Sequence, residues 1–149
     1  MKEGLAQREE RKIAAIDPGE HIGFAFFDDK YSTQLTGTVQ GEDEALDVLF
    51  DLIKSFRPDT LVVEAFRLYP HKALQQSWST MRTPEIIGVI KYWARQNDYP
   101  VVLQPASCKQ AFPDERLRKM GLYVPNVHAR DAIRHGLYRQ RFGKKEKEA

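Results

Sequence analysis

KIAAIDPGEHIGFAFFDD, residues 12–29, decides how the chain folds. Its first six residues are a short apolar run rich in strand formers, and the run stops at Pro18-Gly19, a pair that marks a turn. HIGFAFFDD (21–29) reads as a second strand and STQLTGTVQ (32–40) as a third, with β-branched residues on alternate positions. Three short strands separated by turns predict an antiparallel meander. Further along, Leu46, Leu49, Ile53 and Phe56 recur at helical spacing, and Glu42, Asp43 and Glu44 stand where a helix dipole favours anions, so a helix is expected over 42–56. Pro58 ends it. DTLVVEAF (59–66) is a continuous apolar run with a carboxylate near its end, as expected of a central strand buried on both faces.

The remaining elements alternate. Thr83-Pro84 is read as the start of a helix with Ile86, Ile87, Ile90 and Trp93 on its apolar face, and PVVLQP (100–105) as a short strand between prolines. One or two short helices are expected over 106–120, and a last helix from Pro125-Asn126 to about residue 141, with Asn126 as N-cap. Residues 1–11 read as a flexible charged leader and 142–149 as a charged tail, disordered over KKEKEA (144–149), leaving one domain over 12–141. A mixed α/β sheet covered by helices on both faces accommodates this order.

At 149 residues one domain is expected, with enough chain to bury about two-thirds of its unfolded surface. The single Cys108 allows no intramolecular disulfide and no zinc cluster, which suits a reducing cytoplasm. No apolar stretch has the length of a secretory signal core or of a membrane span, so no membrane partner is expected. The net charge of +2 conceals an asymmetry. Residues 1–64 carry seven Lys/Arg against fourteen Asp/Glu, whereas residues 65–149 carry sixteen against seven. A basic second half points to a polyanion, because neutralised phosphates release condensed counterions; a solvated helical surface with a basic tail is the plainer explanation.

Three carboxylates fall at informative places. Asp17 ends the first strand, Glu64 ends the most apolar strand, and Asp131 lies one turn into the last helix with His128 three residues before it. Taken singly, each has an ordinary structural explanation in a turn, a solvent-facing strand end or a helix dipole. Together they do not, because IAAID and LVVEA are the two runs best suited to be adjacent central strands. Two carboxylates at neighbouring strand ends repel, and one has its pKa raised unless a divalent cation intervenes. Oxygen-rich ligation is the preference of Mg²⁺ and Mn²⁺, and two such ions roughly 4 Å apart can drive phosphodiester hydrolysis. His128 is read as a metal ligand or as the group that orients the attacking water.

IAAIDPGEHIGFAFFD resembles the opening strand-turn-strand of RuvC-like Holliday junction resolvases, in which Asp-Pro-Gly precedes a second Gly. LVVEAF resembles their second motif, HARDAIRHGLYR their C-terminal helix motif, and PASCKQAF their short basic stretch after the fifth strand. The ordered set spans about residues 12–141. The resemblance implies a ribonuclease H-like fold, with three antiparallel strands followed by two parallel ones. It implies Asp17, Glu64, His128 and Asp131 as catalytic residues and metal ligands, two Mg²⁺ ions (or Mn²⁺) per site, and a homodimer nicking opposed strands of a four-way DNA junction. CKQAFPDERLRKMG is shorter and partly more acidic than the glycine-rich basic segment of bacterial members. The compact chain looks more like phage-encoded relatives, several of which act on other branched DNA, and such a protein would work in the host cytoplasm.

DNA contacts are expected from the segment after Glu64, where Phe66 and Tyr69 interleave with Arg67, Lys72 and Arg82. Aromatics beside cations stack on exposed bases while the cations hold phosphates. Phe66 has a rival reading as a core residue. Lys109, Arg116, Arg118, Lys119, Arg130 and Arg134 are further phosphate candidates. Cys108 receives no chemistry and His135 a structural role. The 83–96 helix is the first choice for the dimer surface. Three other functions fit the pattern less well: a sugar-kinase or actin-like ATPase, which needs two such domains; a ribonuclease H acting on RNA–DNA hybrids; and a catalytically silent DNA-binding module, which would have lost a ligand.

Overall fold

The computed structural model describes residues 12–28, 33–40, 43–67 and 78–148. Strands β1 (Lys12–Asp17), β2 (His21–Asp28), β3 (Thr33–Gln40), β4 (Thr60–Glu64) and β5 (Val101–Gln104) form one sheet in the order β3-β2-β1-β4-β5. The β1–β2 and β2–β3 pairs are antiparallel, and the β1–β4 and β4–β5 pairs are parallel. This is the expected mixed sheet, with β1 and β4 adjacent at its centre. Helices α1 (Asp43–Phe56), α2 (Trp78–Gln96), α3 (Asp114–Met120) and α4 (Val127–Glu148) surround it, with a 3-10 turn at Ala106–Ala111.

The strand period of two divides the sheet into two apolar faces. Ala14, Ile16, Leu61 and Val63 point to one side, where they meet Leu46, Leu49 and Ile53 of α1 and Ile86, Ile90 and Ala94 of α2. Phe50 and Trp93 stack at 4.4 Å between those helices. Ile13, Ala15, Ala25, Phe27 and Val62 point to the other side, against Leu117 of α3 and Ala132, Ile133 and Leu137 of α4. Each fully buried aliphatic or Phe side chain contributes about 1.5–3 kcal/mol, so each face closes a core of its own.

Two helices extend beyond their expected limits. α2 begins at Trp78, with Pro84 inside it and not at its start. The proline removes one backbone hydrogen bond, but burial of Ile86, Ile87, Ile90 and Ala94 downstream holds the helix to the sheet. α4 continues to Glu148, so KKEKE is helical and not a disordered tail. Lys and Glu are good helix formers, and lysines near a helix C-terminus complement its dipole. No described helix is long and apolar enough to cross a membrane. The leader expected over residues 1–11 lies outside the described residues.

Two glycines let α4 lie directly on the sheet. A Cβ on Gly23 of β2 would stand 1.9 Å from the backbone oxygen of His128, and one on Gly136 of α4 would stand 2.0 Å from the Phe27 ring. Gly23 pairs with Asp17 across the β1–β2 ladder, so this close approach brings the start of α4 over the end of β1. Because Gly23 meets backbone, no side-chain rotation relieves a clash there. Gly23→Ala is expected to cost about 1–3 kcal/mol and to lower Tm by several degrees in a thermal melt. An unchanged Tm would show that α4 does not pack this closely.

Candidate active site

The site forms where parallel strands end. Asp17 and Glu64 each stand one residue beyond the Ile16–Val63 pair of the β1–β4 ladder. Both fall in the register of Ala15 and Val62, so both carboxylates project toward the face covered by α4. On α4, His128, Asp131 and His135 recur at three- and four-residue spacing and share one stripe. Asn126 caps the helix as expected: its Oδ1 accepts from the backbone N–H of His128 at 2.9 Å and of Ala129 at 3.1 Å. Lys109 enters from the 3-10 turn after β5.

These groups touch. Lys109 Nζ lies 2.9 Å from Glu64 Oε1 and 3.5 Å from Asp131 Oδ2. His135 Nε2 lies 3.1 Å from Glu64 Oε1, and Glu64 in turn shares a hydrogen bond with Asp17. His128 Nδ1 stands 3.8 Å from Asp17 Oδ2, and its ring, 40% exposed, is at the mouth of the site. Asp131 is held from behind by Arg134, whose Nη1 donates to Asp131 Oδ1 at 2.7 Å while Nη2 is bonded to Asp114.

Burial makes these charges strongly interdependent. Asp17 is only 7% exposed. Desolvation, the hydrogen bond to Glu64 and the negative charges of Glu64 and Asp131 push its pKa up to about 9. Burial also opposes the charge on Glu64, but hydrogen bonds from His135, Asp17 and Lys109 outweigh it and lower its pKa to about 2. Burial disfavours the Lys109 ammonium too, yet Glu64, Asp131 and Asp17 hold it protonated and raise its pKa. The carboxylate pair therefore keeps one proton between its members, and an ammonium neutralises much of the rest.

The donor set is that of a hard divalent cation: carboxylate oxygens on adjacent backbone elements with excess negative charge. The expected four-ligand cage is not preassembled. Among the described residues, no three His, Cys, Asp or Glu side chains are grouped closely enough to hold a metal ion as they stand. Lys109 contacts Glu64 and Asp131, and a proton retained by the Asp17–Glu64 pair offsets further negative charge. A bound cation would take over the neutralising role of both.

The expected DNA contacts divide. Arg67, Arg118 and Lys119 are exposed, though Arg118 lies over the Tyr123 ring and Lys119 faces Glu115. Arg82 faces Asp43 at 3.9 Å. Arg116 donates to the Ala111 carbonyl and lies over Phe112. Phe66 is half-buried against the α1/α2 core, in line with its rival reading. Arg130 and Arg134 are structural as they stand: Arg130 donates to Tyr123, Val124 and Pro125, and Arg134 to Phe112, Asp114 and Asp131. Lys109 lies inside the carboxylate cluster and not on the surface. Tyr69 and Lys72 lie outside the described residues. Sequence reasoning missed Gln104, Asp114 and the polar role of His135. A signal existed for His135, four residues after Asp131 and so on the same helical stripe.

No protein-family model matches the chain, and no curated protein matches it in sequence. Solved structures do. RuvC from Thermus thermophilus in complex with Holliday junction substrate superposes with a TM-score of 0.71 at 18% identity, over 90% of this chain and 96% of that one. Another Thermus thermophilus RuvC structure gives a TM-score of 0.69 at 18% identity, over 91% and 96% of the two chains. The yeast mitochondrial Holliday junction resolvase Ydc2 gives 0.53 at 12% identity, over 87% of this chain and 76% of its own. The fold is that of RuvC, the ribonuclease H-like arrangement expected from the sequence.

The shared proton has a consequence for stability. Without metal, the folded pair retains a proton that the unfolded chain releases above pH 3.8, so raising the pH toward 9 favours unfolding. Glu64 acts oppositely: its contribution is complete above pH 4.5 and is lost as the pH falls toward 2. In metal-free buffer, Tm should fall by several degrees between pH 6 and pH 9, and Asp17→Asn should flatten that decline. Superimposable profiles for the two proteins would contradict the shared proton.

Proposed function

We propose that this chain, with the fold of RuvC, is a metal-dependent endonuclease that resolves four-way DNA junctions and acts on other branched DNA. The observation that carries this reading is the convergence of Asp17, Glu64 and Asp131, from three separate elements, at the ends of two parallel strands, where Lys109 contacts Glu64 and Asp131 and Asp17 lies against Glu64. Its support from similarity is that one structure with this fold is RuvC in complex with Holliday junction substrate. A silent binding module would have no need to keep three mutually repelling carboxylates together.

Asp17, Glu64 and Asp131 would hold divalent ions of the Mg²⁺ or Mn²⁺ class. Such ions would supply an activated water and stabilise the leaving oxygen of a phosphodiester. His128, beside Asp17 at the open mouth, is placed to join the ligand set or to accept the proton of the attacking water. Lys109, now in contact with Glu64 and Asp131, would be the ammonium placed to meet the scissile phosphate. Cleavage that leaves 5′-phosphate and 3′-hydroxyl ends fits attack by such a water. Exposed Arg67, Arg118 and Lys119 are candidates to hold the DNA backbone. Paired nicks across a junction need two sites related by a two-fold axis, hence a homodimer. Val89 and Tyr92, exposed on α2, offer apolar surface for it. The cytoplasm, of a host cell if the protein is phage-encoded, is the compartment this function implies.

The test is cleavage with Mg²⁺ of a synthetic four-way junction, a flap, a plain duplex and an RNA–DNA hybrid. Wild-type protein should cut the branched DNAs. Asp17→Asn should lower cleavage at least about a thousandfold, the order of a lost catalytic group, while junction affinity stays within about twofold. Cleavage confined to the hybrid would replace this reading with a ribonuclease H activity, and a fully active Asp17→Asn variant would remove Asp17 from the mechanism.

A further inference from the structure

Glu64 is oriented by a buried pair of polar side chains. Gln104, at the end of β5, is the cross-strand neighbour of Glu64, and the backbone N–H of Ala65 donates to the Gln104 carbonyl at 2.7 Å. The Gln104 side chain is buried and reaches α4 with its amide nitrogen. Nε2 lies 3.0 Å from His135 Nδ1 and 3.1 Å from the His135 backbone oxygen. His135, 0% exposed, places its other ring nitrogen 3.1 Å from Glu64 Oε1.

The chemistry of these contacts fixes the ring. A backbone carbonyl only accepts, so the Gln104 atom facing it must be the amide nitrogen; a flipped amide would set oxygen against oxygen. The same nitrogen has a second hydrogen, directed at Nδ1. Nδ1 therefore accepts, and the ring proton resides on Nε2, which donates to Glu64. The ring is set by its neighbour in the way outer hydrogen-bond partners set metal-ligating side chains.

We infer that Gln104 and His135 form a positioning relay that aims the Glu64 carboxylate into the site and fixes its orientation for a divalent cation. The relay rests on the proposed metal site but not on any particular nucleic-acid substrate. Glu64 lies between Asp17 and Lys109, so its rotation would open the arrangement. Gln104 and His135 touch no reacting atom. They set the geometry of the residue that does.

The full-length chain provides the test. Nitrogen-15 NMR of the metal-free wild type should show His135 protonated on Nε2; protonation on Nδ1 alone would overturn the relay whatever the variants do. His135→Leu should weaken Mn²⁺ binding, measured by electron paramagnetic resonance titration, about 10–100-fold. Junction KM should stay constant while kcat falls. His135→Gln, whose amide nitrogen can reach Glu64 from the Nε2 position, should recover most of the Mn²⁺ affinity; Leu and Gln variants equal in affinity would refute the hydrogen-bond role. If His135→Leu does not fold, Gln104→Met must weaken Mn²⁺ binding in the same direction, and wild-type affinity there would refute the relay. Loss of Mn²⁺ affinity in these variants, with a wild type that binds Mn²⁺ but cuts no DNA, would leave the relay standing and overturn the nuclease reading instead.

Discussion

The structure is organised around two carboxylates that would repel each other in any simple arrangement. Asp17 and Glu64 end adjacent parallel strands and point the same way, so the sheet that stabilises the fold also forces them together. Burial denies them the water that would screen the repulsion. The molecule answers with a retained proton, a lysine ammonium and hydrogen bonds from the covering helix. Each of these offsets part of that negative charge. A site designed only for stability would place apolar side chains here, since a buried charged cluster rarely exceeds an apolar core in stability.

Helix α4 completes the arrangement because it lies unusually close to the sheet. Gly23 and Gly136 remove the Cβ atoms that would hold the two layers apart, and the Asn126 cap sets the first turn so that His128 faces Asp17. Behind the stripe of functional side chains, Arg134 and Asp114 brace Asp131, while Gln104 and His135 brace Glu64. The Gln104–His135 support is buried, whereas the Asp114 and His128 side chains are open to solvent.

Much of this was legible in the sequence, for identifiable reasons. The apolar runs ending in Asp17 and Glu64 revealed the central strands because burial on both faces demands uninterrupted hydrophobicity. The Asn126 cap was readable because its chemistry is local. What escaped was set by tertiary contact. Pro84 reads as a helix start, but burial further along carries the helix through it. Arg130 and Arg134 read as phosphate ligands, and only the fold brings Asp114 and the Phe112 carbonyl to them. Lys109 reads as surface charge until the turn after β5 folds it between Glu64 and Asp131. Gln104 is an ordinary strand residue until the β4–β5 register makes it the neighbour of Glu64.

The proposed divalent-cation site of Asp17, Glu64 and Asp131 would hold its ion where Lys109 now contacts Glu64 and Asp131. Anomalous diffraction from crystals of the full chain grown with Mn²⁺ tests it most directly. The account predicts a manganese peak bounded by these three carboxylates, with the Lys109 ammonium displaced from between Glu64 and Asp131. Manganese bound elsewhere, with Lys109 still bridging the two carboxylates at saturating metal, would contradict it.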